Sequence, residues 1–273
     1  MKIALFCANE FAIPLRSDII YAPLPLFEQL ALGVASKGHK VFLYAASNSK
    51  LRHKNIKIIS GGLVSFDAAG YKKKEGSFHD QEAVALYGQM LMSQMVSDAA
   101  KYKFDVIHCY HQPHHFLPFL NLTKTAVVFT LHDPMKDPTN DKKRFIFQSC
   151  AWRNKANYIS ISNNQRLNFP SLNYIKTIYN GIDLSLYKFN PNPDDYFVFL
   201  GRVCPEKGTD LAVRAAAKAN VKLKIVGPNW GGSYWDKKIK PFWNEKTMEN
   251  LGVIPRKEVR KILSNAKGLL FTS

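Results

Sequence analysis

Short apolar runs rich in β-branched and aromatic residues recur along the chain, and stretches of helical period separate several of them. Residues 2–7 and 40–45 are apolar at every position after an opening lysine, as expected of strands buried on both faces. Between them, 24–37 repeats its apolar positions at helical spacing. Gly38, within Ser36-Lys37-Gly38-His39, marks the end of that helix, because glycine enters the left-handed region without a side-chain penalty. The same pattern predicts strands over 55–60, 105–109, 125–131, 158–161 and 174–179, and helices over 80–101 and 141–155. This alternation predicts an α/β fold with a parallel sheet covered by helices on both faces.

The pattern then breaks and restarts. Asn190-Pro191-Asn192-Pro193-Asp194-Asp195 has no apolar content and is composed as a linker. Beyond it the spacing predicts a strand over 196–200, a helix over 209–219, a strand over 222–226, a helix over 256–264 and a strand over 268–271. Two domains are expected, 1–190 and 191–273, with ligands at the carboxyl ends of the strands. The second is expected to be incomplete. It is shorter than the roughly 100–150 residues usual for a doubly wound domain, and it ends on an apolar strand with no covering helix.

Composition changes this picture little, but charge adds to it. A chain of 273 residues is long enough for two modest cores, and no apolar run approaches the roughly 20 residues that span a bilayer. The first apolar run is cut by Asn9 and Glu10 and has no small-residue cleavage site, so it is a buried strand in place of a signal peptide. Cys7, Cys109, Cys150 and Cys204 are widely spaced and are expected as reduced thiols of a cytoplasmic protein. Thirty-eight basic residues against 21 acidic ones give a net charge of +17. Nucleic acid, an anionic membrane surface or phosphorylated small molecules would suit that charge. The lysines are scattered and no nucleic-acid motif is present, so nucleic acid is not expected as a partner.

The chemistry concentrates in a few loops. Gly201-Arg202-Val203-Cys204-Pro205-Glu206-Lys207-Gly208 follows a predicted strand and opens a predicted helix. Gly201 permits close backbone approach, the helix N-terminus offers N–H groups and a positive dipole end, and Arg202 and Lys207 add two cations suited to a diphosphate. By itself the loop fits a plain strand–helix turn with two surface cations equally well. Val226-Gly227-Pro228, closing the next strand, is a second such loop and favours the anion site. His108, His111, His114 and His115 crowd one segment, but no carboxylate or cysteine is spaced to complete a tetrahedral set, so no metal is expected. His108 falls inside a strand and is expected to pack in the sheet. Ser160 and Ser162 follow another strand end and are expected to cap a short helix. Gly61-Gly62 follows a strand without a third glycine, and no G-x-G-x-x-G fingerprint argues for a nicotinamide cofactor.

Four stretches, in order, carry a family resemblance. Lys37-Gly38-His39-Lys40-Val41 resembles K/R-G-H-x-V, and Asp105-Val106-Ile107-His108 resembles D-V-I/V-H. Tyr179-Asn180-Gly181-Ile182-Asp183 is similar to Y/P-N-G-I/V-D. Gly201-Arg202 with Glu206-Lys207-Gly208, followed by Ile225-Val226-Gly227, resembles G-R-x-x-x-E-K-G…I-V-G. The pattern is that of the retaining GT-B glycosyltransferases of family four (glycosyl transferases group 1), and it runs essentially the whole length of the chain. The resemblance implies two Rossmann-like domains. It also implies transfer of a sugar from a nucleotide-diphosphate donor to a carbohydrate or lipid-linked acceptor with retention at the anomeric carbon, without a metal or other cofactor.

By the same resemblance Arg202 and Lys207 stabilise the departing diphosphate. His111, in His111-Gln112-Pro113 where the family often has His-Glu-Pro, lies near the acceptor and the transferred sugar. Phe129-Thr130-Leu131-His132-Asp133 resembles T-x-H-D, so that Asp133 orients the His132 imidazole or accepts a sugar hydroxyl. An Asp133-Pro134 turn beside an incidental histidine is the alternative. Asn180, Gly201 and Gly227 complete the expected binding residues.

Two departures qualify the expectation. Tyr21-Ala22-Pro23-Leu24 stands where the family's first loop carries a Gly-Gly pair, and Pro23 has no amide to offer a phosphate. The Glu-Pro-Phe-Gly segment that would follow 268–273 in the family is not in the sequence, so the chain is expected to be truncated and weakly active. A non-catalytic half completed by a partner chain, or a GT-B sugar-nucleotide epimerase, remains open. Lys72-Lys73-Lys74 between Phe66 and Phe78 suits an anionic membrane surface, with a solvated loop as the alternative, so a cytoplasmic protein with peripheral membrane contact is the expected setting.

Overall fold

The computed structural model describes residues 1–7, 10–17, 19–66, 68, 81–110, 115–132, 142–167, 169–229 and 231–273. The chain divides into two compact units, Met1–Gly181 and Ile182–Ser273.

The first unit holds a seven-stranded sheet of β1 (Lys2–Phe6), β2 (Lys40–Tyr44), β3 (Ile56–Ile59), β4 (Val106–Cys109), β5 (Ala126–Leu131), β6 (Asn157–Ser160) and β7 (Tyr174–Thr177), in the order β3-β2-β1-β4-β5-β6-β7. Every pairing is parallel. The continuous apolar runs follow from this arrangement, because side chains alternate between two cores. From β1, β2 and the Cys7 that follows β1, Ala4, Phe6, Phe42 and Tyr44 enter one core, while Leu5, Cys7, Val41 and Leu43 enter the other. Helix α1 (Pro23–Ser36) covers the second core with Leu24, Phe27, Ala31 and Ala35, at helical spacing. Helix α2 (Gln81–Tyr102) covers the first with Tyr87, Leu91, Met92, Met95 and Ala99.

Local chemistry sets the ends of these elements. Pro23 is the first residue of α1, where the missing N–H costs nothing. At the other end Gly38 takes φ +87° and its N–H reaches the Ala35 carbonyl at 3.0 Å, as the glycine predicts. The helix expected over 141–155 is shorter. Helix α3 (Lys142–Ser149) stops where Cys150 becomes extended, and a 3-10 turn, Ala151–Lys155, follows. Trp152 in that turn donates its indole N–H to the Leu117 carbonyl at 2.7 Å, which ties the segment to a neighbouring turn.

The second unit has a four-stranded parallel sheet in the order β10-β9-β8-β11, made of β8 (Phe197–Leu200), β9 (Leu223–Val226), β10 (Met248–Gly252) and β11 (Gly268–Leu269). Helix α4 (Thr209–Ala219) packs Ala212, Val213 and Ala216 against Phe199, Ile225 and Met248. A short α5 (Gly232–Tyr234) and an α6 (Arg256–Asn265) complete the unit. The linker-like stretch belongs to this unit and is tied down by its polar groups. Asn190 donates to the Asn265 side chain (3.0 Å), the Asp194 N–H reaches the Asn265 carbonyl (2.8 Å), and Asp195 pairs with Lys267 (2.5 Å). Upstream of it, the Ser264 hydroxyl donates to the Lys188 carbonyl. Among the described residues no helix is long and apolar enough to cross a membrane.

Candidate functional site

In the second unit the carboxyl ends of three neighbouring strands each lead into a glycine or end on one. β8 runs into Gly201, β9 into Gly227, and β10 ends on Gly252. Backbone bonds lace these ends together. The Gly201 N–H donates to the Val226 carbonyl (2.9 Å), that of Val203 to Pro228 (3.0 Å), and that of Gly227 to Gly252 (2.8 Å). Gly227 has φ +144°, and a Cβ there would lie 2.0 Å from the Gly201 oxygen. No side chain fits, so the steric demand for glycine falls on Gly227. The nearest neighbours of a Cβ on Gly201 would be the Phe199 ring, at 3.4 Å and beyond, and the Lys207 stem at 3.7 Å, which are ordinary contacts. The Gly201 amide is already committed to Val226, so what Gly201 leaves to a ligand is space.

The two cations lie on the loop that follows. Arg202 is exposed, and among the described residues its guanidinium meets no carboxylate. Lys207 closes a 3-10 turn, Pro205–Lys207, and its stem lies beside Gly201. Gly208 then takes φ +61° to begin α4, and a Cβ there would sit 2.4 Å from the Thr272 carbonyl. The Thr272 hydroxyl lies 2.8 Å from the Gly208 carbonyl and 3.0 Å from that of Lys207, which fixes this corner.

The N-terminus of α4 is less open than its motif suggests. The Asp210 N–H donates to the Tyr234 hydroxyl (3.0 Å), which in turn donates to the Asp210 carboxylate (2.8 Å). Asp210 also pairs with Arg214 at 2.8 Å. A carboxylate in the first turn offsets the positive end of the helix dipole, which leaves Arg202 and Lys207 as the attraction for an anion. On the same edge, Pro228, Asn229 and residues 250–253 line a hollow of about 390 Å³. β10, which frames it, is absent from the sequence pattern because Glu249 and Asn250 face solvent and only Met248 of the strand is buried.

In the first unit the histidines separate by role. His108, on β4, lies with Nε2 2.9 Å from the Thr130 hydroxyl. Burial, helped by nearby His132, lowers its pKa to about 4. It is a neutral sheet residue, as its position in the strand predicts. Because the folded form resists protonation, its contribution is complete above the unfolded pKa near 6.5 and is lost as pH falls toward 4. Denaturation measured across that window is expected to show a loss of about 3 kcal/mol, and His108→Gln is expected to flatten it. A slope unchanged in the variant would refute this assignment.

His132 directly follows β5, and its ring centroid lies 4.4 Å from that of Tyr110, which directly follows β4. Tyr110 has no place in the motif pattern, and its position beside His111 in the chain was its one available signal. Asn180 is exposed near the end of the unit. His111 and Asp133 lie outside the described residues, as do His114 and Lys72-Lys73-Lys74. Of the two serines expected as caps, only Ser162 acts as one, accepting the Gln165 N–H at 3.2 Å. Ser160 is buried between Thr177 (2.9 Å) and the Arg166 guanidinium (2.8 Å), and so joins the ends of β6 and β7.

Solved structures of similar fold extend over nearly all of the chain. AviGT4, a glycosyltransferase involved in avilamycin A biosynthesis, is 17% identical with a TM-score of 0.63 over 100% of this chain and 70% of its own. Sucrose-phosphate synthase from Thermosynechococcus elongatus is 15% identical with a TM-score of 0.70, covering 98% of this chain and 74% of its own. Anabaena HepE, solved in complex with UDP and glucose, is 16% identical with a TM-score of 0.59, covering 100% and 74%. Identities this low speak for the fold alone, which is the α/β GT-B fold expected. Among curated protein sequences no relative matches. The profile of Glycosyltransferase Family 4 matches residues 26–186, more than half of the sequence, from within α1 to just past the end of the first unit. The chain therefore belongs to Glycosyltransferase Family 4.

Proposed function

We propose that this protein transfers a sugar from a nucleoside diphosphate sugar to a carbohydrate or lipid-linked acceptor with retention at the anomeric carbon. The observation that carries the proposal is the loop cluster of the second unit. Gly227 packed on the Gly201 carbonyl draws two strand ends together, and an exposed Arg202, unpaired among the described residues, and the Lys207 stem lie on the loop beside them. When the sugar–phosphate bond breaks, negative charge accumulates on the departing diphosphate. Fixed cations aimed at that charge stabilise the transition state more than the ground state. Two cations do here what a divalent metal does elsewhere, so the proposal includes no metal. The UDP and glucose bound to HepE support a uridine diphosphate donor as the first to test. The hollow between Pro228 and Val253 adjoins the same strand ends and is the place proposed for the nucleoside.

His132 is assigned to the sugar and acceptor side, with His111 and Asp133 joining it on the strength of the motif resemblance and Asn180 as a further contact. The deciding experiment measures UDP binding and donor-dependent UDP release. Saturable binding and release are expected, and both are expected to weaken in Arg202→Ala. Binding of no nucleoside diphosphate among uridine, guanosine and adenosine forms would reject the proposal.

Peripheral membrane contact through Lys72–Lys74 is part of the same reading. Each lysine near anionic lipid contributes about 1 kcal/mol, so exchanging all three for glutamine is expected to weaken liposome binding by about a hundredfold. Co-sedimentation with phosphatidylserine liposomes measures this, and an unchanged bound fraction would remove membrane contact from the proposal.

A further inference from the structure

A cavity of the second unit lies away from the glycine loops. It encloses about 770 Å³ where β9 and β10 begin, at Leu223 and Met248, and beside Tyr196 just ahead of β8. In a parallel sheet those positions share one edge, and Gly201, Gly227 and Gly252 share the opposite one. We infer that this cavity is a second ligand site, separate from the proposed donor site, and that it binds a neutral oligosaccharide.

Three features select that class of ligand. The first is charge. Asp194, Asp195, Glu245 and Glu249 bring carboxylates to the wall, and Lys222, Lys224 and Lys246 set ammonium groups against them. In a chain with 38 basic and 21 acidic residues, this balance is a local departure. Much of the charge is also paired, with Lys222 3.7 Å from Asp195, Lys224 3.7 Å from Glu249, and the Lys224 ammonium 4.5 Å over the Tyr196 ring. Four carboxylates against three ammonium groups leave no excess of positive charge to hold a phosphate.

The second feature is aromatic. Trp235 and Trp243 stand with ring centroids 5.2 Å apart at an interplanar angle of 52°, forming an angled corner in the wall. Aromatic faces receive the C–H faces of a pyranose well, and two tilted rings are too few to cage a quaternary ammonium. Among the described residues neither indole N–H has an acceptor, so both stay available to hydroxyl groups. The third feature is hydrogen bonding. Carboxylates, ammonium groups, Thr247 and Asn250 alternate acceptors and donors around an apolar corner, as ligand sites for polyhydroxylated molecules require. The volume falls within the range of pockets that enclose small molecules, and exceeds the needs of a single ion.

Titration of the full chain with maltotriose, cellotriose and mannotriose, followed by tryptophan fluorescence and calorimetry, tests the inference. Saturable binding to at least one is expected, at roughly millimolar affinity. Trp243→Ala is expected to weaken it by about tenfold or more. Because Trp243 also packs on the core, Glu245→Ala serves as the second variant; Glu245 is exposed, and its removal is expected to weaken binding about threefold to tenfold. Arg202→Ala is expected to leave trisaccharide binding intact, so this inference and the proposed transferase activity fail separately. Silence toward all three sugars, binding that survives both pocket variants, or binding lost in Arg202→Ala would each overturn it.

Discussion

Arg202→Ala is expected to lower donor turnover by about two to three orders of magnitude while leaving the fold intact. The guanidinium is exposed and, among the described residues, pairs with no carboxylate, so its removal breaks no ion pair and leaves no buried charge behind. Its whole proposed contribution is to the departing diphosphate. Losing one such electrostatic contact costs about 3–4 kcal/mol in the transition state. Arg202→Lys separates two explanations, because lysine restores the charge without the planar fork. Partial recovery is expected if charge dominates, and none if bidentate geometry does. Lys207→Ala is expected to follow Arg202→Ala in direction. Turnover within twofold of the wild type in Arg202→Ala would end the role assigned to this loop.

The second large effect is on stability. Gly227→Ala is expected to cost about 3–5 kcal/mol, chiefly in the second unit. The new methyl would lie 2.0 Å from the Gly201 oxygen, and φ +144° is itself a strained conformation for alanine. Relief requires β9 to move away from the exit of β8. That movement would break the bonds from Gly201 to Val226 and from Val203 to Pro228. Gly201→Ala supplies the contrast, since the nearest neighbours of its methyl would be the Phe199 ring and the Lys207 stem at 3.4–3.7 Å. It is expected to change stability by less than about 1 kcal/mol and yet to weaken UDP binding, if the donor uses the space above that residue. Urea denaturation followed by tryptophan fluorescence, with Trp235 and Trp243 reporting on the second unit, measures both. Equal stability losses in the two variants would contradict the assignment.

The aromatic cavity of the second unit and its candidate chemistry thus occupy opposite edges of one sheet. The glycine edge offers Arg202 and Lys207 on a loop beside a small hollow, and suits an anion. The other sets charges of both signs around an indole corner, and is assigned the neutral ligand.

Much of this was legible in the residues alone. After their opening lysines, runs such as 2–7 and 40–45 are apolar at every step because their strands have a core on each face, a constraint that acts on each residue and so appears in the linear pattern. Helix α4 occupies the predicted 209–219, bounded by Gly208 and by Asn220 in the left-handed region. Gly38 ends α1 for the same local reason. The family motifs needed no tertiary contact to be recognised, since each is a short string in fixed order.

What the tertiary structure alone decided depends on residues distant in sequence. The pattern pointed to Gly201 as the site of close approach, but the demand falls on Gly227, because it arises from two strand ends meeting in register. The motif implied open N–H groups at the start of α4, whereas Tyr234, 24 positions beyond Asp210, already holds one of them. Strand β10 left no periodic signal because it lies at the sheet edge and buries only Met248. Local propensity and burial on both faces are written residue by residue. Backbone contact across strands, helix capping from a remote loop and the choice of an edge strand are settled only when distant segments pack, which is why the sequence determined the fold and its glycine loops while the packing determined which glycine and which amide remain free to serve a ligand.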